Sequence, residues 1–558
     1  MDATRPAEDT GASLPWLWIG ALVVFALALG LRLWMAWAMV GPLGSDSSYY
    51  LLVARNLAQG RGFVDDVVWN FLSRPPALHH PSNDYWMPLE SILIYLSQLI
   101  LGKSFFAAQA LNLLLGAGVP VVAIIIAREM GARRGFAVLA GILLAASQRQ
   151  IYYSIDTDSA MSYAFFGGLA FLGTVRGLRG SRSWLAAAGI AAGLAHLSRN
   201  DGALWAPGMI AVFLLSRRDQ ENRAAPFRDW LGAGAGYLAV IGPWMIRNLS
   251  AFGTLLPPNS TRAIFFQRYM DLFAFDPHLS LQGYLGLGLA AIVKNKAHAL
   301  LSALKMFAGR GALDPWLAPL AVLGVILTSS NCRRVIVIHL CLLIAAWSLV
   351  MDIYAGTTLG GTLRTAVGLM IYLVPAAMLG LDRAEQWLRW RQSYPAWMVP
   401  VLFLVVAGLM NVLDPAEYRR NDRIIAFSVR DWAYLNKLSQ VLRSISPEPV
   451  TIMTFRPWQL NLAADLPSVS IPSDGLAALR EACRKYQVDF LVLEKDRKYD
   501  KPEFQEVVAY LEKLASAREL PSPGEDLSFI PYARLDNTWI FRVVRTVPPP
   551  PAGKGRIP

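Results

Sequence analysis

The run PWLWIGALVVFALALGLRLWMAWAMV (residues 15–40), followed at once by GPLGSDSSYY (41–50), decides the class of this chain. A helix needs about 20 apolar residues to cross a bilayer core, and this run exceeds that. A short polar tail without a basic n-region precedes it, and no small-residue cleavage site follows. It therefore reads as a retained transmembrane helix and not as a signal peptide. The composition agrees. Hydrophobic residues make up 54% of the 558 and charged residues 16%, where ordinary soluble domains carry about 25% charged residues. A typical soluble protein and a disordered chain are both excluded. The net charge of +12 would suggest nucleic acid in a soluble protein. In a membrane protein it fits basic cytoplasmic loops, and no nucleic-acid partner is expected. Cys332, Cys341 and Cys483 are the three cysteines, and they form neither a disulfide framework nor a zinc pattern.

Further apolar runs lie at 105–127, 135–153, 159–175, 183–198, 203–216, 229–248, 315–332, 334–351, 366–382 and 394–413, giving about 11 spans. Basic residues cluster at Arg128/Arg133/Arg134, Arg176/Arg179/Arg182, Arg217/Arg218/Arg223/Arg228, Arg333/Arg334 and Arg383/Arg389/Arg391. Positive loops stay in the cytoplasm. With the N-terminus inside, all the clusters fall inside only if the run 88–102 does not cross. That run is short and opens on Trp86-Met87-Pro88, so it reads as an interfacial helix. The run 282–308, broken by Lys294, Lys296 and His298, is read in the same way.

The reading is thus a mainly α, polytopic membrane protein, expected in a bacterial inner or plasma membrane, with three outer pieces. These are a first loop (41–104), a large loop (249–314) and a C-terminal part (414–547), with a disordered tail at 548–558. In the C-terminal part helical patterns at 427–445, 475–487 and 502–516 alternate with strand-like 450–455, 468–471, 488–493 and 538–544. Such alternation predicts a small extracytoplasmic α/β domain.

Acidic and basic residues gather at the predicted outer ends of the spans. Asp46, in Ser45-Asp46-Ser47-Ser48-Tyr49-Tyr50, reads either as a helix N-cap or as a general base at the mouth of a membrane cavity. Asp156-Thr157-Asp158 could cap a helix, hold a cation or face a substrate. In Ser198-Arg199-Asn200-Asp201-Gly202 the flanking runs are too short for two full spans, which draws the turn below the membrane surface. Arg199 and Asp201 either pair there or line a wet cavity. Arg247-Asn248 and Arg364 end or begin spans on the same side, with Arg268 and Lys294 in the large loop. Guanidinium groups suit phosphate, and several converging at one face would form an anion site. His79-His80 is the single His pair and lacks ligand spacing, so no metal site is assigned. No dinucleotide fingerprint, phosphate loop, zincin or nucleophile-elbow motif occurs.

Taken together, these motifs resemble the GT-C superfamily of polytopic glycosyltransferases, in the branch of protein O-mannosyltransferases and the lipid A aminoarabinose transferase. Asp46-Ser-Ser-Tyr-Tyr with Ala54-Arg55-Asn56-Leu57-Ala58-Gln59-Gly60 resembles the first-loop acidic motif and its helix. Tyr85-Trp86-Met87-Pro88-Leu89 resembles the aromatic-Pro motif, and Thr157-Asp158-Ser159 the second acidic motif. Leu197–Gly202 resembles the basic turn, and Trp244-x-x-Arg247-Asn248 with Gly253 the W-x-x-R-N…G motif. The resemblance implies inverting transfer of a sugar from a polyprenyl-phosphate donor to a glycan, lipid or protein hydroxyl on the outer face, with no required cofactor. Asp46 matches the catalytic carboxylate and Asp158 the second acidic position. Tyr49, Tyr50, His80, Asp156, Arg199, Asp201, Arg247, Asn248 and Arg364 are the expected substrate-binding residues. Asp46-Ser47 lacks the Asp-Glu pair of the mannosyltransferases. The aminoarabinose transferase's second acid and Arg are also missing, as is its Lys at Met87. The sugar and acceptor stay open.

Two alternatives remain. A metal-dependent oligosaccharide transferase or ligase of the same superfamily would use Asp156 and Asp158 on a divalent cation. A lipid-linked glycan transporter would show pseudo-symmetric halves and broken midplane helices; this chain shows no such halves, and its polar residues gather at one outer face.

Overall fold

The computed structural model describes residues 14–217, 226–266, 269–276, 279–307, 312–313, 316–350, 361–391, 395, 398–403, 415–446, 448–494, 502–516 and 527–545. The proposed tail at 548–558, Arg268, and most of the run 394–413 lie outside them. The chain divides into two compact units. The first comprises 1–60, 83–264 and 285–430, the second 61–82, 265–284 and 431–558. The second unit thus combines the C-terminal stretch with two segments that the sequence assigned to the outer loops.

The first unit is helical. Its helices are α1 (Leu14–Ala36), α2 (Ser45–Ala58), α3 (Leu89–Leu101), α4 (Phe105–Met130), α5 (Arg134–Ala146), α6 (Gln148–Ile155), α7 (Ala160–Gly177), α8 (Arg182–Ser198), α9 (Trp205–Ser216) and α10 (Phe227–Phe252). After these come α11 (Leu289–Phe307), α12 (Ala318–Leu327), α13 (Ser330–Ala345) and α14 (Gly361–Arg391). Local chemistry sets their ends. Ser104 Oγ caps α4 by accepting the Ala107 N–H at 3.0 Å, and Gly131 closes it in the left-handed region at φ 100°.

Among the described residues, four helices are long and apolar enough to cross a membrane alone: Trp16–Ala36, Phe105–Met130, Ser330–Ser348 and Gly361–Arg389. The expected eleven spans are not matched by eleven such helices, because several runs are broken or shortened. The run 135–153 is divided at Ser147 into α5 and α6, and 203–216 yields a helix of 12 residues behind a 3-10 turn at Asn200–Leu204. The 13 residues of α3 rise about 20 Å, well short of a bilayer core of about 30 Å.

Small residues let the bundle close tightly. A Cβ at Gly324 of α12 would collide with the Ala376 carbonyl of α14, and one at Gly380 of α14 with the Leu320 carbonyl of α12. Backbones approach this closely only where no side chain intervenes. The basic clusters meet at one end of the bundle. Glu129 takes Arg176 at 2.6 Å and Arg179 at 2.7 Å, and Arg133 pairs with Asp382 at 2.5 Å and with Glu385. Asp158, just before α7, and Arg364, at the start of α14, lie at the opposite ends of the helices that carry Arg176 and Asp382.

The second unit contains a six-stranded sheet. Its strands are β2 (Val67–Val68), β4 (Ile452–Thr454), β5 (Ser468–Ser470), β6 (Phe490–Glu494), β7 (Leu527–Leu535) and β8 (Thr538–Arg545), in the order β2-β5-β4-β6-β8-β7. The first four in that order are parallel, and β8 and β7 are antiparallel additions. A small antiparallel pair, β1 (Val64–Asp65) with β3 (His80–Pro81), stands apart. Both sheet faces are buried. Along β6, Leu491 and Leu493 enter one core with Val68, Phe71 and Phe541, while Phe490 and Val492 enter another with Leu438, Leu442 and Ile540. A two-sided core explains why this strand reads as one continuous apolar run. The sequence missed β7 and β2. The first holds Pro531 and a register shift beside it, which break the strand pattern, and the second is a two-residue piece about 400 residues from its partner.

Candidate active site

The site is built where α2, the α6–α7 junction and α14 converge within the first unit. Gly44 occupies the N-cap of α2, with no side-chain cap bond. Asp46 lies in the first turn and is not the cap, which removes the bland reading of that residue. Its carboxylate faces Arg364, with Nη2 to Oδ2 at 3.2 Å. The same guanidinium donates from Nε to Asp158 Oδ2 at 2.5 Å. One arginine thus bridges both acidic motifs, 206 and 318 positions away in sequence. Asp158 also accepts the Ala160 N–H on Oδ1 at 3.1 Å, so it steadies the start of α7 while it holds Arg364. Its side chain is 1% exposed, whereas Asp46 keeps 29% open. Asp46 is the member of the pair that a substrate can reach. Burial raises the Asp46 carboxyl above the ordinary carboxylate range, opposed by Arg364 and reinforced by Asp158.

Asp156 is turned to a different task. Its Oδ2 accepts from Ser47 Oγ at 2.6 Å, and its Oδ1 accepts from the N–H groups of Leu43 (3.2 Å) and Thr157 (3.0 Å). Thr157 Oγ1 returns a bond to the Ser47 carbonyl at 3.0 Å. The residue beside Asp46 is thereby tied to the motif of Asp158. Burial pushes the Asp156 carboxyl up to about 7, against the donors from Ser47 and the backbone. Tyr50 donates to Ser159 Oγ at 3.3 Å, and Tyr49 OH accepts the Asn83 N–H at 2.6 Å beside the Trp86 ring.

The recessed turn contains the internal pair. Arg199 Nε donates to Asp201 Oδ1 at 2.9 Å, and Nη2 reaches the Gly361 carbonyl at 3.3 Å and Thr365 Oγ1 at 3.4 Å. Thr365 also donates to Asp201, so this turn is tied to the helix that carries Arg364. Arg247 lies between the rings of Trp244 (4.8 Å) and Phe252 (4.9 Å), with Nη1 to Asn248 Oδ1 at 3.2 Å. His80 belongs to the second unit, where its ring nitrogens lie 3.1 Å from the carbonyls of Pro81 and Val67.

Two features escaped sequence reasoning. Ser47 is one; nothing in a lone serine marks it as the partner of a carboxylate 109 positions on. Glu90 is the other. It is fully buried in α3, Oε2 accepts from Ser162 Oγ at 3.2 Å, and Oε1 has no partner. Burial, reinforced by Asp158, holds this carboxyl well above the carboxylate range. An acid inside the apolar run 88–102 was the available signal.

Residues 79–246 match the family model described as dolichyl-phosphate-mannose-protein mannosyltransferase. None of the curated proteins matches the chain in sequence. Among solved structures, the chain resembles ArnT from Cupriavidus metallidurans in the apo state. The TM-score is 0.53 and the identity 13%, over 95% of this chain and 98% of that one. The same protein bound to undecaprenyl phosphate gives a TM-score of 0.50 and 14% identity over the same shares. The archaeal oligosaccharyltransferase AglB from Archaeoglobus fulgidus, in complex with an inhibitory peptide and a dolichol-phosphate, gives 0.47 and 14% over 86% of this chain and 69% of that one. The chain thus shares the fold of ArnT almost end to end, and its segment 79–246, which holds the second acidic motif and the recessed turn, matches the mannosyltransferase family model.

Proposed function

We propose that this protein is an inverting glycosyltransferase that moves a sugar from a polyprenyl-phosphate donor to an acceptor hydroxyl on the outer face of the membrane. The observation that carries the reading is the Asp46–Arg364–Asp158 bridge, an accessible carboxylate held against a guanidinium at one mouth of a membrane bundle. Asp46 accepts the acceptor's hydroxyl proton as that oxygen attacks the anomeric carbon. The bond from that carbon to the phosphate oxygen breaks, and the lipid phosphate leaves with the electron pair. A raised carboxyl pKa makes Asp46 a stronger proton acceptor while it is ionised. Arg364, with Arg199 nearby, supplies positive charge where the phosphate develops its own. The likeness to a fold that has been captured with undecaprenyl phosphate supports a lipid-linked donor. The charge distribution along the helices supports an outer location for the site.

Metal dependence is the competing reading, and the residues do not fit it. The cation between Asp46 and Asp158 is Arg364, and Asp156 spends both oxygens on Ser47 and backbone donors. We therefore assign no metal, and turnover in EDTA is expected to stay within about twofold of the untreated rate, where loss of a metal acting as Lewis acid would remove several kcal/mol of stabilisation.

The test is turnover of a panel of labelled polyprenyl-phosphate sugars by purified protein in lipid. One donor is expected to be consumed, and Asp46→Asn should lower kcat by about 10²- to 10⁴-fold while the fold is kept. Equal consumption by both variants would remove Asp46 from the chemistry. Failure to bind any donor would favour a transporter.

A further inference from the structure

Arg32 sits one turn before the C-terminal end of α1, fully buried, in a helix long and apolar enough to cross the membrane. A charge at such a position is costly and ordinarily pairs with a carboxylate or lines a wet cavity. Among the described residues no carboxylate pairs with it. Nε instead donates to Ser154 Oγ at 2.9 Å, Nη1 donates to the carbonyls of Ala28 (3.0 Å) and Ala145 (3.2 Å), and Nη2 has no partner. Ala145 lies in the last turn of α5 and Ser154 in the last turn of α6, so the cation meets the carbonyl-rich ends of two helices at once.

Those ends lead into the acidic motif. Asn112 of α4 donates to the carbonyls of Tyr153 (2.9 Å), Ser154 (3.3 Å) and Asp156 (2.6 Å), and Gln109, one turn earlier, donates to that of Ile155. Ser154 Oγ donates in turn to the Gln150 carbonyl at 2.5 Å, and Gln150 Nε2 donates to the Val367 carbonyl at 3.0 Å, one turn beyond Arg364 on α14. The chain of contacts from Arg32 therefore ends on both halves of the bridge, the segment of Asp158 and the helix of Arg364. Gly116 of α4 leaves the room for it. A Cβ there would collide with Ser154 and lie 3.2 Å from Arg32 Nε.

We propose that Arg32 is a positioning residue for the transfer reaction, holding α6 so that Asp158 and Arg364 meet Asp46 in register. The activity half of this proposal rests on the glycosyl-transfer reading; the positioning half does not.

The experiment compares wild type with Arg32→Gln, Arg32→Lys, Ser154→Ala and Gly116→Ala in lipid, by amide hydrogen exchange and by donor turnover. Arg32→Gln should speed exchange at 154–162 by about tenfold or more and leave α8 and α10 unchanged. It should lower kcat by about 10- to 100-fold with donor KM within about threefold, as a misplacement of about 1 Å does. Arg32→Lys should recover part of kcat, since it keeps the charge and loses the fork. Gly116→Ala, which leaves every polar group of the chain of contacts in place, should reproduce the exchange change. The proposal is overturned if Arg32→Gln exchanges like wild type at 154–162. It is equally overturned if exchange rises throughout the bundle and kcat and KM worsen together without rescue by lysine. If wild type consumes no donor, the transfer reading fails, and exchange in Arg32→Gln and Gly116→Ala still decides the positioning.

Discussion

At the scale of single residues, the site turns on one guanidinium shared by two carboxylates. Arg364→Gln would leave Asp46 and Asp158 facing each other without the guanidinium that bridges them, and kcat/KM is expected to fall by about 10²- to 10³-fold, the cost of one preorganised donor in an oxyanion site. Near-normal kinetics in that variant would show that the bridge is a structural clasp. As the proposed base, Asp46 is expected to set the pH dependence. Its carboxyl is raised, and only the ionised form accepts a proton. The acid limb of kcat/KM should therefore lie above the ordinary Asp value of about 3.9, with activity lost as pH falls through it. An acid limb at or below that value would contradict the assignment. Glu90 offers the opposite case. A carboxyl held neutral by burial is mimicked by an amide, so Glu90→Gln should keep its melting midpoint and stay within about threefold of wild-type turnover, as a swap that leaves the hydrogen-bonding group neutral does. Asp46, Asp158 and Arg364 were legible in the sequence because charge is conspicuous at the end of an apolar run. That one of them bridges the other two was not, because a pairing across 318 positions is fixed by the tertiary fold, which brings the start of α14 beside the start of α2, and not by any local pattern.

Among the elements, helix packing explains where the apolar periodicity misled. The run 135–153 looks like one span, yet α5 and α6 are separate because Ser147 adopts an extended conformation between them. The break serves the site, since it lets the carbonyl ends of α6 turn toward α4 and be taken up by Gln109 and Asn112. Single-residue hydropathy does not register such a break. Glycine carries the opposite kind of information. Gly324 and Gly380 look like ordinary small residues in apolar runs, but each faces a backbone carbonyl of the other helix. Gly324→Ala or Gly380→Ala should separate α12 from α14 at an overpacking cost of about 1–3 kcal/mol, read as a lowered thermal midpoint in detergent. Unchanged midpoints in both variants would mean that the two helices adjust at little cost.

On the scale of the whole molecule, the alternation of charge along the helices predicts an orientation. Alkaline-phosphatase fusions after Arg179 should be inactive and fusions after Arg545 active, since the first end is basic and the second unit is expected outside. The reverse pattern would place the Asp46 site in the cytoplasm and would remove the lipid-linked donor from the argument. The C-terminal strands β4, β5, β6 and β8 were legible from short apolar runs set between helical ones. The edge strand β2 was not, because two valines in the first loop carry no signal of their own, and only their pairing with Ser468 and Val469 makes them part of a sheet. That pairing has a consequence for how the protein comes into being. Val67 and Val68 leave the ribosome roughly 400 residues before their sheet partners do, which at about 5–20 residues per second amounts to roughly 20–80 s of waiting. Throughout that interval Val68 and Phe71 lack the core they will join, so the nascent chain must keep an apolar segment from straying while most of the helices are still being laid down.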